Sequence, residues 1–526
     1  MKLVRVNRRQ VCLLALGAAV SGRVLAQSGS EADALHVLNR LAYGPAPGDV
    51  ARVMQMGVDA YIAQQLHPEN IAMPQNLQQQ LDALETTRLS QRDLIVQFRE
   101  AQQAAKNESE EGKAERREFY QHLTLQAGEA RLLRALQSPA QLQEVMVDFW
   151  FNHFNVFIGK GLDRVLVENY ERVAIRPYAL GRFRDLLGAT AHHPAMLFYL
   201  DNWQSVVEGY RAPRGSIALA KTSGLNENYA RELMELHTLG VDGGYSQADV
   251  TELARMLTGW TFNPRLGNGE SIFYFDAQRH DNGDKQWLGR RVRGRGQTEG
   301  EEALDVLATH PATAHRIGYK LAQYFVMDEP PPVLVKQLAR RFLDTGGDIR
   351  AVLKTLFDSA EFRAPRASGA KFKTPYRYLL SAVRASGFAV TNVRPLLATA
   401  YQLGMPLYGC QTPDGYKNTE EAWLNPDAIT RRVNFATAFA SGRLPFARPM
   451  VAADTAGVGK AALKRPVDKP PNAQFNAAWA TEPVDAAAVL AVLGSGISAR
   501  TRVAVAQAEP GLRAALVLGS PDFMRH

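Results

Sequence analysis

The chain has 526 residues, 46% of them hydrophobic, with a formal net charge of +8. At that length it can bury a large core and form more than one subdomain. Residues 1–26 hold five basic residues and no acid, so without them the charge falls from +8 to +3, a near-neutral balance that gives no electrostatic basis for binding nucleic acid.

Lys2, Arg5, Arg8 and Arg9 precede an apolar run from Val11 to Val20, and Val24-Leu25-Ala26 fits a small-residue cleavage site. This pattern predicts a signal peptide over 1–26, too short to span a bilayer. Arg8-Arg9 points to twin-arginine export, and Arg23 near the cleavage site disfavours the general secretory route, which is the alternative. The expected destination is periplasmic or secreted, with no integral membrane span further along. Cys12 leaves with the leader, so Cys410 is alone and reads as a small buried hydrophobe.

From residue 27 to 443 the pattern predicts a helical main domain. Leu35, Leu38, Leu41 and Ala42 recur at helical spacing up to Gly44-Pro45, and Val50–Met56 and Val58–Leu66 read as two short helices around Gly57. The charged run 106–117 reads as an exposed loop or frayed helix end. A long helix then runs into Asp148-Phe-Trp-Phe-Asn-His-Phe154. Around 259–293 the character changes. Trp260–Phe262, Ser271–Phe275 and Trp287–Val292 read as short strands between Gly-, Asn- and Asp-rich turns. Residues 444–483, rich in Pro and Ala, read as a linker, and 484–526 as a helical segment packing on the main domain. Leu356–Arg363 and Val517–Arg525 share a Ser–acid–Phe ending, which predicts a docked Phe in each. The expected fold is therefore mainly α, a multi-helical globular protein with a small β-hairpin insertion.

The richest stretch is Asn226-Glu-Asn-Tyr-Ala-Arg-Glu-Leu-Met-Glu-Leu-His-Thr-Leu-Gly240. On an α-helix Asn228, Glu232 and Glu235 share one face, while His237 lies about 160° from Glu235. Glu227, Arg231 and Glu235 form either a solvated ion-pair ladder or a buried cluster in which Arg231 orders the carboxylates. His153 sits on an aromatic face with Met146, Phe149 and Trp150; it is either a satisfied core residue or a metal ligand. The opposite face carries Glu144, Asp148, Asn152 and Asn155. Asp242–Asp249 fails the calcium-loop template, and Ser246 with Asp249 reads as a capping box. In His280-Asp281-Asn-Gly the Asn-Gly step is a hairpin signal, with His280 and Asp281 as candidate ligands or a base. Asp201-Asn202, after an apolar helix, reads as a C-terminal cap.

Taken together, Leu38–Gly44, Phe149–Phe154, Met196–Asn202, Asn228–His237 with Leu257–Thr261, His280-Asp281, Lys371–Pro375, Thr412–Tyr416 and Ala422–Pro426 resemble the bacterial exported family known as domain of unknown function eighteen hundred. The resemblance runs from about His36 to the C-terminus. It implies export and a neighbouring exported partner of the family domain of unknown function fifteen hundred and one, but no settled activity. It also implies His at the position of Phe151, a departure that removes one candidate ligand beside His153. Two functional classes follow. One is an enzyme acting on an envelope or extracellular polymer, with Asn228, Arg231, Glu232, Glu235 and Asp201 as catalytic candidates and His153, His237, His280 and Asp281 as ligands of a divalent metal. The other is a non-catalytic assembly or binding partner of another exported protein, in which the same residues form a buried polar network.

Overall fold

The computed structural model describes residues 30–104, 110–211, 224–265, 271–446 and 481–526. The expected leader and most of the expected linker lie outside these residues. The first helix, Glu31–Leu41, opens on a capping box: the Ser30 Oγ accepts from the Asp33 N–H, and the Asp33 carboxylate accepts from the Ser30 N–H. Its buried face is Ala34, Leu35, Leu38 and Leu41. Helices Asp49–Met56 and Val58–Gln65 meet at Gly57, whose φ of 89° is costly for a residue with a side chain. The charged run expected as an exposed loop or frayed helix end is, from Glu110 onward, the start of the 28-residue helix Glu110–Gln137. Glu, Lys, Arg and Ala are strong helix formers, and here they need only face water. Helix Gln141–His153 follows at once.

The β insertion consists of two separate antiparallel hairpins. Trp260–Phe262 pairs with Phe273–Phe275, and Lys285–Trp287 with Arg290–Val292. The stretch expected as one strand, Trp287–Val292, thus bends back on itself. Its turn is Leu288-Gly289, both at positive φ (47° and 72°), and not Asn282-Gly283. Two consecutive residues at positive φ match the right-handed twist of the flanking strands.

The Ser–acid–Phe endings each hold a buried Phe, Phe362 and Phe523. In both, the Ser caps a following one-turn helix, Ala360–Arg363 or Pro521–Met524, so the motif opens an element as well as closing one. Residues 524–526 run beside 371–373: the Lys373 N–H donates to Met524 O at 2.9 Å, and Lys371 and His526 exchange backbone hydrogen bonds. Val517, Leu518 and Phe523 are buried in the same apolar cluster as Leu38 and Trp150.

Set in this apolar interior is a network of charges. The Arg131 guanidinium reaches Glu171 at 3.1 Å and also Asp148, with the rings of Phe151, Tyr376 and Tyr408 around it. Arg176 pairs with both oxygens of Glu144, at 2.7 and 3.0 Å, and with Glu171 at 3.1 Å. The Tyr408 hydroxyl donates to Glu171 at 2.9 Å. The polar face of helix Gln141–His153 is thereby explained: Glu144 and Asp148 face this network, while Asn152 and Asn155 hold a loop.

Candidate functional site

His153 ends helix Gln141–His153 and is 1% exposed. Its Nε2 lies 3.0 Å from His237 O, a carbonyl that can only accept, so Nε2 carries the proton. Nδ1 then presents its lone pair to the Lys320 ammonium, 2.8 Å away. Burial, and next the nearby Lys320 charge, holds His153 well below the usual histidine range, so the ring is neutral. Lys320 comes from helix Pro311–Phe325 and is half-buried. Its burial, followed by Arg316 one turn away, lowers its amine from 10.5 to about 7.

The stretch that carries the acids is not a uniform α-helix. Asn228–Glu232 is α, and Leu233–His237 widens into a π-turn. The wider turn inserts one residue and shifts the register of everything after Glu232. His237 turns into the core, 1% exposed, while Glu232 and Glu235 stay half-buried. The expected opposition of His237 and Glu235 is thus found in a different kind of turn. The expected direct contact of Arg231 with those carboxylates is not, although its charge still lowers Glu232. Arg231 pairs with Glu227 at 3.3 Å and donates to Gln247 at 2.8 Å. It forms no hydrogen bond or ion pair with Glu232 or Glu235, because the π-turn carries Glu235 out of the i,i+4 relation. Half of the ion-pair ladder therefore exists, and the buried Arg–carboxylate cluster does not.

A loop over 405–417 is clamped to the end of helix Gln141–His153. Asn152 donates to Tyr416 O at 2.8 Å and accepts from the Tyr416 N–H at 2.7 Å. Asn155 donates to the carbonyls of Cys410 and Thr412, and the Tyr199 hydroxyl to that of Gln411. These bonds place Asp414. Burial pushes its carboxyl up, but hydrogen bonds from Lys417 and Thr412 outweigh that and hold it below the usual range.

Six ionisable groups from distant parts of the chain, Lys320, Arg316, Tyr245, Glu235, Glu232 and Asp414, act neighbour on neighbour in a ring, on which Arg231 and Lys417 also act. Lys320 feels Arg316 and Asp414. Glu232 is raised by burial, then by Glu235, against the pull of Arg231, and slightly further by Asp414. Tyr245 is raised by burial, then by Glu235, and feels Arg316. The His153–Lys320 contact forms the base of this ring.

The remaining predicted residues are placed elsewhere. Leu200 caps helix Pro194–Tyr199, and Asp201, at φ 59°, is the turn residue after it and pairs with Lys160 at 2.9 Å. Asn228 donates to Leu200 O at 3.3 Å, which ties the acid-bearing turn to that helix end. Ser246 and Asp249 form the expected capping box. His280 lies between Thr258 O (2.8 Å from Nδ1) and Glu299 Oε1 (3.1 Å from Nε2). Asp281 grips Arg255 at 2.7 and 3.2 Å. Glu299, fully buried, also takes Lys285 at 2.5 Å and the N–H groups of Arg295 and Gly296. His280 therefore ties the start of the second hairpin to helix Gln297–Thr309 and Asp281 ties it to helix Gln247–Met256, and both ring nitrogens of His280 are engaged. His153 and His237 do approach, with ring centroids 6.2 Å apart. His280 and Asp281 do not join them, and among the described residues no group of three or more His, Cys, Asp or Glu could hold a metal ion. The four-residue metal set does not fit this arrangement.

Sequence reasoning missed Lys320, Arg316, Tyr245 and the charge of Asp414. Lys320 and Arg316 look like ordinary polar positions of an amphipathic helix. Asp414 stood within the Thr412–Tyr416 motif, where Gly415 was the available signal for a special turn.

The family described as "Protein of unknown function (DUF1800)" matches residues 36–525, and the chain belongs to that family. No curated protein and no solved structure matches it. No described helix is long and apolar enough to cross a membrane.

Proposed function

We propose that this member of the family works outside the cytoplasm as an acid–base enzyme on an envelope or extracellular polymer, with the Lys320–Glu232 ring as its active site. One observation carries this reading. Within a single ring an acid is pushed up and an amine is pushed down, so their titration ranges move toward each other. Opposed shifts of this kind are how a site supplies a general acid and a general base together. His153 fixes the Lys320 amine through Nδ1, Asp414 acts on that amine, and Glu235 acts on Glu232. The leader pattern at 1–26 supports export.

The test is a titration of the protein labelled with ¹³C at lysine Cε, combined with turnover of labelled polysaccharide and peptide polymers. Besides the lowered Lys371 and Lys373, a lysine titrating near 7 is expected, its signal missing in Lys320→Met. Polymer turnover should fall at least ~100-fold in both Lys320→Met and Glu232→Gln, with circular dichroism checking that both variants fold. A Lys320 that titrates in the ordinary range, or turnover equal to wild type in both variants, overturns the assignment.

A second reading, a non-catalytic partner of another exported protein such as a member of the domain of unknown function fifteen hundred and one family, is favoured by a separate observation. Asn152, Asn155, Asn228, His280 and Asp281 are all engaged in holding the fold. It is the reading that would stand if both ring variants kept full biological activity.

A further inference from the structure

Away from the ring, an open groove of about 960 Å³ lies between helix Gln75–Asp82, one face of helix Glu110–Gln137 and the segment 383–394. That volume is at the upper end of small-molecule sites. Leu84, Leu125, Leu136, Val383, Phe388 and Val390 give it apolar walls. Most polar groups on the walls are already committed to one another or to the backbone. Gln126 accepts from the Thr86 N–H and bonds His122, Gln80 bonds Gln137, and Arg384 holds Asp49 and the Gly44 and Leu136 carbonyls.

Glu129 is different. It lines the groove from the middle of helix Glu110–Gln137, half-buried, and among the described residues it has no hydrogen bond or ion pair. Burial pushes its carboxyl up to about 7, against the pull of Arg394. A carboxyl desolvated without a donor is costly to ionise, and the chemistry that relieves it is a cationic N–H group brought in with a ligand. The apolar walls select the rest of that ligand.

We propose that this groove binds a small amphiphilic amine, with the ammonium head on Glu129 and the hydrocarbon along Leu125, Leu136 and Phe388. The site shares no residue with the Lys320–Glu232 ring, so the two proposals stand or fall separately. Binding a cation to Glu129 favours its ionised form. The complex should therefore release a proton and tighten as the pH rises from 6 to 8, while the amine of the ligand stays protonated.

The experiment is isothermal titration of the full-length mature protein with dodecylamine and, separately, dodecanoate, each below its micelle concentration. Dodecylamine is expected to bind with about one molecule per chain. It should weaken about tenfold in Glu129→Gln, which keeps the shape of the side chain but removes its charge. Leu125→Trp, which fills the groove, should abolish binding, with melting curves checking that both variants fold. No dodecylamine binding, equal or tighter binding of dodecanoate, or binding that survives both substitutions overturns the proposal.

Discussion

Lys320 and His153 illustrate how one contact assigns protons on both sides. The His237 carbonyl can accept only, which puts the His153 proton on Nε2 and leaves Nδ1 for Lys320. Burial then acts on every basic group in the same direction. His237 and His193 are each lowered from 6.5 to about 3, His237 by burial and then by Lys320, His193 by burial and then by Arg172. The sign follows. Between 6.5 and about 3 the unfolded chain binds protons that the folded chain refuses, so stability falls as the pH drops through that window. Each such histidine accounts for about 1.4 kcal/mol per pH unit there. His237→Leu should remove one share of that slope in acid unfolding followed by circular dichroism, with little change at pH 8, where both states are neutral. An unchanged slope would show that His237 already titrates like an exposed histidine. Lys320 works the same way higher up: from about 7 to 10.5 the unfolded chain holds a proton the folded chain has lost, and stability rises with pH.

At the scale of elements, two local departures from regular geometry build the proposed site. The π-turn at Leu233–His237 separates an inward histidine from two half-buried acids, Glu232 and Glu235, within six residues. The loop over 405–417 carries Asp414 to the same place, and it can do so because Gly415 lies against helix Gln141–His153. Gly415 has φ 71°, and a Cβ there would stand 2.2 Å from Asn152 O. Gly415→Ala therefore meets both the cost of the left-handed region and a backbone clash, and should destabilise by at least ~2 kcal/mol. It should also loosen the loop, seen as faster amide exchange at Tyr416, whose N–H now donates to Asn152. Exchange at the wild-type rate would mean the loop holds without this approach. None of this was legible in the run Asn226–Gly240, whose α-helical periodicity is good throughout. The extra residue of a π-turn leaves no periodic signature, because what stabilises it is packing of His237 on Phe154, ring centroids 5.0 Å apart.

Across the whole molecule, the helices meet around charges as well as around apolar side chains. Arg131 comes from helix Glu110–Gln137, Asp148 and Glu144 from helix Gln141–His153, Glu171 and Arg176 from the stretch after Tyr170, and Tyr408 from the clamped loop. Such networks stabilise little in balance, but losing one member strands the others in the core. Arg131→Met leaves Glu171 and Asp148 short of a counter-charge and should cost about 3–5 kcal/mol, read by chemical denaturation. A change within ~1 kcal/mol would mean that water reaches the acids and the network is not closed.

The sequence by itself determined the mainly α class, the first three helices, the capping boxes at Ser30 and Ser246, the place of the β insertion and the membership of the family. Those features rest on short-range periodicity, capping and ordered motifs, all written within a few residues. It also marked Glu232, Glu235, His153 and His237 as ionisable groups in unusual positions. Only the tertiary structure decided which of them share a site. It separated His280 and Asp281, which Thr258, Glu299 and Arg255 draw into a hairpin clamp, and it brought in Lys320 and Asp414, which lie 167 and 261 residues from His153 along the chain. Proximity at that separation depends on how helices pack, and burial, which moves Lys320 and Glu232 toward a common pH, is a property of the packed molecule alone.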